Sequence, residues 1–445
     1  MATRGWEQLL VEKFQGNADF AIKQAVIAGR AVAVYMFESI VDLPATLERM
    51  DQSLVGLRPD IRALEQLADL YRLRADPTLT ELAHLLLQGK LVIRHPESGE
   101  PMVFKAEPPA ITRPVSSAEN ENRIQGANDA FTEELQINIG LLRKNLKRQD
   151  LMIVKYSLGS TSCREVALVY LRSETNPEIV RAVDDRLKQN KRRDIRQVDD
   201  LLGLLGHPRF ALVATYVSTE LPEEAAQNLL DGKAVLLLDQ FPNALAVPAI
   251  VRDVWSIKTD HNYPQTYLAF FRFIRLIGIV FAIVMPGLYV VLNSVNPELL
   301  RIQLALSVAK SREGVPYPAF IEVLLMLLVL EMVIEATTRL PKSIGPTITM
   351  IGGIILGQAI VQAKLVSNLL IIILAASTIA NFTVAGYLNT IGIRIFKYVV
   401  LFVSAAFGIL GLEVAVIWMF LYFAGLKTLT VPYLSLSVKG SKADE

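Results

Sequence analysis

Two kinds of polar side chain stand inside the long apolar stretches of this chain, where each costs free energy unless it finds a partner or water. The first are carboxylates: Glu322, Glu331, Glu335 and Glu413. Glu331, Glu335 and Arg339 follow one another at i,i+4 steps, so one helix face can pair them internally. For Glu335 an interfacial helix with this stripe in water is an equal alternative. Glu413 has apolar neighbours for a full turn both ways, which predicts a partner such as Arg394 or Lys397, or an aqueous cavity. The second kind are amides. In Ser343 to Ala363, SIGPTITMIGGIILGQAIVQA, Gln358 and Gln362 lie one turn apart with Thr347 on the same stripe. Thr349, Gly353 and Gly357 form a small-xxx-small series on a different face. One face for helix packing and one for water suits a pore-lining helix. An ordinary span whose glutamines bond to neighbouring helices is the plainer alternative.

Catalytic patterns are missing. The sequence has no Walker loop, GxGxxG, HExxH or GxSxG, so neither an enzyme nor a bound cofactor is expected. His84, His95, His207 and His261 show no metal spacing, and His84 is expected to pack on an apolar helix. The one cysteine, Cys163, excludes an intrachain disulfide and fits a buried or incidental thiol. A net charge of +1 gives no reason to expect nucleic acid.

The elements that must position these residues divide at Arg275. Hydrophobic residues make up 52% of the 445, yet 20% are charged. Residues 276–426 hold only 14 Asp, Glu, Lys and Arg. An α/β region followed by an all-α polytopic membrane domain is therefore expected. The front half looks duplicated. Arg30-Ala-Val-Ala-Val-Tyr-Met36 is similar to Arg164-Glu-Val-Ala-Leu-Val-Tyr-Leu171, and Leu86-Leu-Gln-Gly-Lys90 to Leu229-Leu-Asp-Gly-Lys233, in the same order. Each unit reads strand, helix, helix, then a Gly-Lys turn into a hairpin. The expected divisions are 1–106, a Pro/Ser-rich linker at 107–126, 127–250, a basic and aromatic juxtamembrane segment at 251–275, a membrane domain at 276–426, and a tail at 427–445. A helix with Phe131, Leu135, Ile139 and Leu142 on its apolar stripe leads the second unit. The charges at its end, Arg143, Lys144, Lys147 and Arg148, read as a solvated face.

Four to five spans are expected: Leu276–Leu292, a doubtful Ala319–Ile334, Ser343–Ala363, Leu365–Thr383, and Tyr398–Leu426 with a bend at Gly408 or Gly411. The N-terminus lacks a signal-peptide core, which predicts a cytoplasmic head. The basic loop holding Arg301, Lys310 and Arg312 conflicts with an outside location after the first span.

Ser311-Arg-Glu-Gly-Val-Pro-Tyr-Pro-Ala-Phe320, with its Arg312, Glu313, Gly314 and Pro316, resembles the GerA family of spore germination proteins, A-subunit type. Arg339-Leu-Pro-Lys-Ser-Ile-Gly345, Gly357-Gln-Ala-Ile-Val-Gln-Ala363, Asn228-Leu-Leu-Asp-Gly-Lys-Ala-Val235 and Pro286-Gly-Leu-Tyr-Val290 extend the match over about 125 to 435. Ala127 stands where the family has proline, and Asp260 alone remains of the acids before the first span. The resemblance implies a multi-pass protein of the endospore inner membrane, head on the core side. It also implies a homo-oligomer in membrane lipid, a permease-like B subunit and a lipoprotein C subunit, and ion release once nutrients are sensed. Val361 then joins Gln358 at a gate that opens by wetting. An accessory paralogue, a secondary transporter and a non-conducting scaffold are the alternatives.

Overall fold

Arg30–Phe37 and Arg164–Leu171 each become the second strand of an antiparallel sheet. The computed structural model describes residues 5–27, 29–54, 78–95, 98–109, 129–208, 210–256, 263–341, 344–384 and 386–439. The expected linker, 107–126, lies almost wholly outside them. In the first unit α1 (Trp6–Lys13) precedes β1 (Phe20–Ile27) and β2 (Arg30–Phe37). Then come α2 (Leu43–Leu54), α3 (Leu79–Leu87), β3 (Lys90–Arg94) and β4 (Pro101–Lys105), with sheet order β1-β2-β3-β4. The second unit repeats the plan with α4 (Leu135–Asn145), β5 (Leu151–Leu158), β6 (Arg164–Leu171), α5 (Pro177–Gln189) and α6 (Val198–Leu204). It continues through β7 (Val217–Thr219), α7 (Pro222–Leu230), β8 (Ala234–Leu238) and β9 (Ala244–Val247), with order β5-β6-β8-β9-β7.

Each sheet thus has a leading strand, β1 or β5, that the sequence pattern left out. The matched Gly-Lys turns have a shared cause: Gly89 and Gly232 carry φ of +79° and +87° between helix and strand, where a Cβ is strained. Strand β8 is buried at all five positions because its sheet is covered on both sides. Helices α4 and α7 pack on one face, α5 and α6 on the other.

The two units meet at a buried ion pair. Arg143 Nε donates to Asp19 Oδ2 at 2.7 Å, with side chains 1% and 0% exposed. The guanidinium also lies 4.0 Å over the Phe37 ring. Arg143 is therefore not part of a solvated face, because the first unit covers it. His84 departs from expectation too, being exposed against Gln88, and Cys163 is exposed.

After Gln265 the chain is helical: α8 (Gln265–Val290) with a π turn at Val291–Val295, α9 (Ile302–Ser311), α10 (Ala319–Arg339), α11 (Gly345–Gln362), α12 (Asn368–Asn381) and α13 (Tyr387–Gly425). Contacts fix their directions. Arg275 Nη1 donates to Trp255 O at the head, and Asn296 marks the far end of α8. Helix α12 runs back along α8, since Tyr289 meets Ser367, Ala282 meets Ser377, and Gly278 meets Thr383. Helix α13 starts at the head, where Gly392 lies against the Leu212 carbonyl, and doubles back at Gly408, whose φ of 65° and ψ of −143° break the helix. At this tip Ile409 N donates to Asn296 Oδ1 at 3.1 Å. The returning arm brings Phe423 to 5.3 Å from Phe396 and Tyr422 OH to Leu212 N at 2.8 Å. The last apolar region is accordingly a helical hairpin that begins at Tyr387 rather than Tyr398.

Small strands β10 (Lys427–Thr428) and β11 (Val431–Pro432) then return the tail to the head. Val251 N donates to Tyr433 O at 2.7 Å, Val438 enters the core under β8, and Lys439 Nζ pairs with Glu174 at 2.6 Å. Burial pushes the Tyr433 phenol well above its ordinary pKa. Six antiparallel arms therefore start and finish at the head. The basic loop with Arg301, Lys310 and Arg312 sits at the far end.

Candidate functional site

Glu322, at the first turn of α10, is fully buried at the far end of the helices. Ser367 N donates to its Oε1 at 2.5 Å, Tyr289 OH lies 3.5 Å from Oε2, and Tyr289 OH meets Ser367 Oγ at 2.9 Å. Arg312 Nε stands 3.4 Å from Oε2, an ion pair without hydrogen-bond alignment. One carboxylate thus joins α8, α10, α12 and the loop that follows α9. The Ser311, Arg312, Glu313, Gly314 and Pro316 motif is the loop that delivers this arginine. Arg312 Nη2 donates to Tyr317 O at 3.1 Å, Ser311 Oγ donates to Val308 O, and Gly314, with φ of +88°, lies against Lys364.

Near the head, Glu331 of α10 pairs with Arg394 of α13, each side chain about one-fifth exposed. Lys397, one turn on, is buried. The expected i,i+4 stripe is thus split: Glu335 pairs with Arg339 at 2.6 Å on an exposed face, while Glu331 turns to another helix. Glu413 is exposed on the returning arm of α13, and among the described residues no ion pair joins it to Arg394 or Lys397. Arg394 is held by Glu331 near the head, whereas Glu413 lies near the tip, just past the break at Gly408.

Helix α11 is the bare element. Of its described side chains only Gly345 and Ile360 are buried. Nothing lies within 4 Å of a Cβ built on Gly353 or Gly357, and Gln358, Val361 and Gln362 are exposed. Its side-chain tie to α10 is Thr337 Oγ1 to Thr349 Oγ1 at 3.0 Å. Sequence reasoning found the stripe but missed two partners, Tyr289 and Ser367. Neither is charged, and although Tyr289 lies in the matched Pro286–Val290 stretch, that match assigned it no role.

An α/β head joined to a bundle of apolar helices, one of them largely unpacked among the described residues, defines a two-part protein, α/β then all-α. The whole length of it, residues 8–444, matches the family model described as Bacillus/Clostridium GerA spore germination protein, and this chain belongs to that family. Among its relatives, spore germination protein GerLA of Bacillus cereus is 34% identical over 313 residues, 70% of this chain and 64% of that protein. Spore germination protein B1 of Bacillus subtilis is 31% identical over 357 residues, 80% of this chain and 74% of that protein. The chain thus spans about two-thirds to three-quarters of their lengths. The N-terminal domain of the A subunit of the Bacillus megaterium germinant receptor GerK3 superposes with a TM-score of 0.38 at 24% identity, over 55% of this chain and 93% of that one. Among the described residues, two helices, 265–295 and 387–425, are long and apolar enough to cross a membrane.

Proposed function

We propose that this chain is the A-type subunit of a spore germinant receptor, a multi-pass protein of the endospore inner membrane that lines an ion path with α11 from several copies. The bare state of α11 carries the reading. Among the described residues, the glycines Gly353 and Gly357 and the glutamines Gln358 and Gln362 of this apolar helix meet no close packing partner in their own chain, and other copies in a ring would supply one. The six antiparallel arms support crossing. The outgoing arm of α13, 387–407, rises about 31 Å, near the ~30 Å of a hydrocarbon core. A tail seated on the head agrees with an even number of crossings and with both lying on the core side.

The divisions at 106, 126, 250, 275 and 426 belong to the same reading. A permease-like B subunit would hold the nutrient and a lipoprotein C subunit would complete the receptor. Movement of partner helices would then wet the stripe of Gln358, Val361 and Gln362. Glu322 with its arginine fixes the far end of α10, and Glu331–Arg394 the near end, so α11 swings on the pair. The test is conductance of the purified full chain in planar bilayers. Val361→Ala and Gln358→Lys are expected to change single-channel current, the first raising it. Currents that are absent, or identical in both variants, would end the pore assignment.

A further inference from the structure

Where the head meets the helices, the segment between α6 and β7 and the first turns of α13 enclose a cavity of about 210 Å3. Its rim is polar, with Asp199, His207 and Thr215. Its wall on the helix side is apolar, with Leu388, Ile391 and Ile395. Two of those wall residues are also among the exposed hydrophobics of α13, Leu388 at 36% and Ile395 at 40%. The cavity therefore opens sideways, onto the same apolar surface that the helices present all round. On the rim, His207 Nδ1 meets Thr215 Oγ1 at 2.6 Å, while its buried Nε2 has no partner.

The same segment carries Phe210, 93% exposed. An aromatic ring in that position is costly in water and at home at a bilayer interface, where Tyr267, Phe270 and Phe273 of α8 are also exposed. An oily slot that opens toward lipid, with acceptors at one end, has the chemistry of a lipid site. The Asp199 carboxylate disfavours a purely anionic headgroup and suits an ammonium group.

We propose that one phospholipid with a primary-amine headgroup, of the phosphatidylethanolamine class, occupies this cavity. Its chain lies along Leu388, Ile391 and Ile395, and its amine donates to Asp199. The proposal rests on the membrane reading above. Its consequence is mechanical, because the cavity wall is also the joint between head and helices. Leu212, which lines the cavity, donates to Tyr422 OH and packs its carbonyl on Gly392, so it touches both arms of α13. A lipid in the slot braces that joint.

The experiment takes the full chain from nanodiscs of equal phosphatidylethanolamine and phosphatidylglycerol into detergent and counts retained lipid by native mass spectrometry. One phosphatidylethanolamine per chain is expected. Ile391→Trp, which fills the slot, should cut retention at least tenfold, and Val213→Phe from the opposite wall should do the same. Asp199→Asn should keep a lipid but bring the headgroup preference below twofold. No retained lipid, retention in both filling variants equal to that of the unaltered chain, or a preference for phosphatidylglycerol would overturn the proposal. Flotation of the same chain with liposomes separates the two readings: a chain that floats but retains nothing sinks this site alone, and one that does not float sinks the membrane reading.

Discussion

Replacing Asp19 by alanine isolates the contact between the two halves of the head. Arg143 would then stay buried with no carboxylate. Its Nη1 and Nη2 already lack hydrogen-bond partners, so Asp19 Oδ2 at 2.7 Å is what offsets the burial of its charge, with the Phe37 face below. Burial pulls the Arg143 pKa down and the neighbouring Asp19 opposes that pull, which shows the two effects in direct competition. Asp19 would also release Ser39, whose N and Oγ donate to it at 2.9 and 2.7 Å. Removing one partner of such a pair costs about 3–5 kcal/mol. At roughly 2–4 °C per kcal/mol for a domain of this size, the unfolding midpoint of the head should fall by about 6–20 °C. The assay is thermal unfolding of the full chain in detergent, read through Trp6, which packs in the first unit against Tyr35. Adding Arg143→Met to Asp19→Leu removes both charges and should recover more than half of the loss. A single variant that shifts the midpoint by less than about 2 °C, or a double variant whose loss is the sum of the singles, would refute this account.

His207 gives a pH dependence. Burial, helped by Arg186, lowers its pKa from 6.5 to about 4, so the unfolded chain binds a proton more readily than the folded one between those values. Stability therefore falls as pH drops from about 6.5 to about 4, and His207→Asn should flatten that part of the wild-type profile; parallel profiles would count against it. Gly408→Ala places a Cβ against Asn296 Oδ1 at a backbone conformation nearly closed to other residues, at a cost of about 1–3 kcal/mol. The melting temperature of the full chain in detergent should fall in that variant, and an unchanged midpoint would count against a reversal held at Gly408. Charge reversal at Glu331 or at Arg394 should lower the detergent melting temperature, and the exchange Glu331→Arg with Arg394→Glu should restore part of it. No recovery in the exchange would mean that the pair does not hold α10 to α13.

How much of this was legible depends on the range over which each residue acts. The duplicated Gly-Lys turns and the amphipathic stripe of α4 are local. Backbone sign and side-chain period write them directly into neighbouring residues, and the structure places them in the same stretches. The leading strands β1 and β5 escaped because Phe20–Ile27 mixes lysine and glutamine into its outer face and Leu151–Leu158 lies next to a charge run. Gly408 announced a bend, but a bend and a reversal look alike in sequence.

By itself the sequence determined that an α/β head precedes apolar helices, that the head is built twice, and that α11 carries small and amide residues with no charge. Only the tertiary structure decided that Arg143 is buried, that Glu331 is joined to a residue 63 positions away, that Glu413 lies exposed on the returning arm, and that the tail comes back to the head. The physical reason is that periodicity tells a residue which face of its own element it occupies. Which other element covers that face depends on the packing of the whole chain, and no short pattern records it.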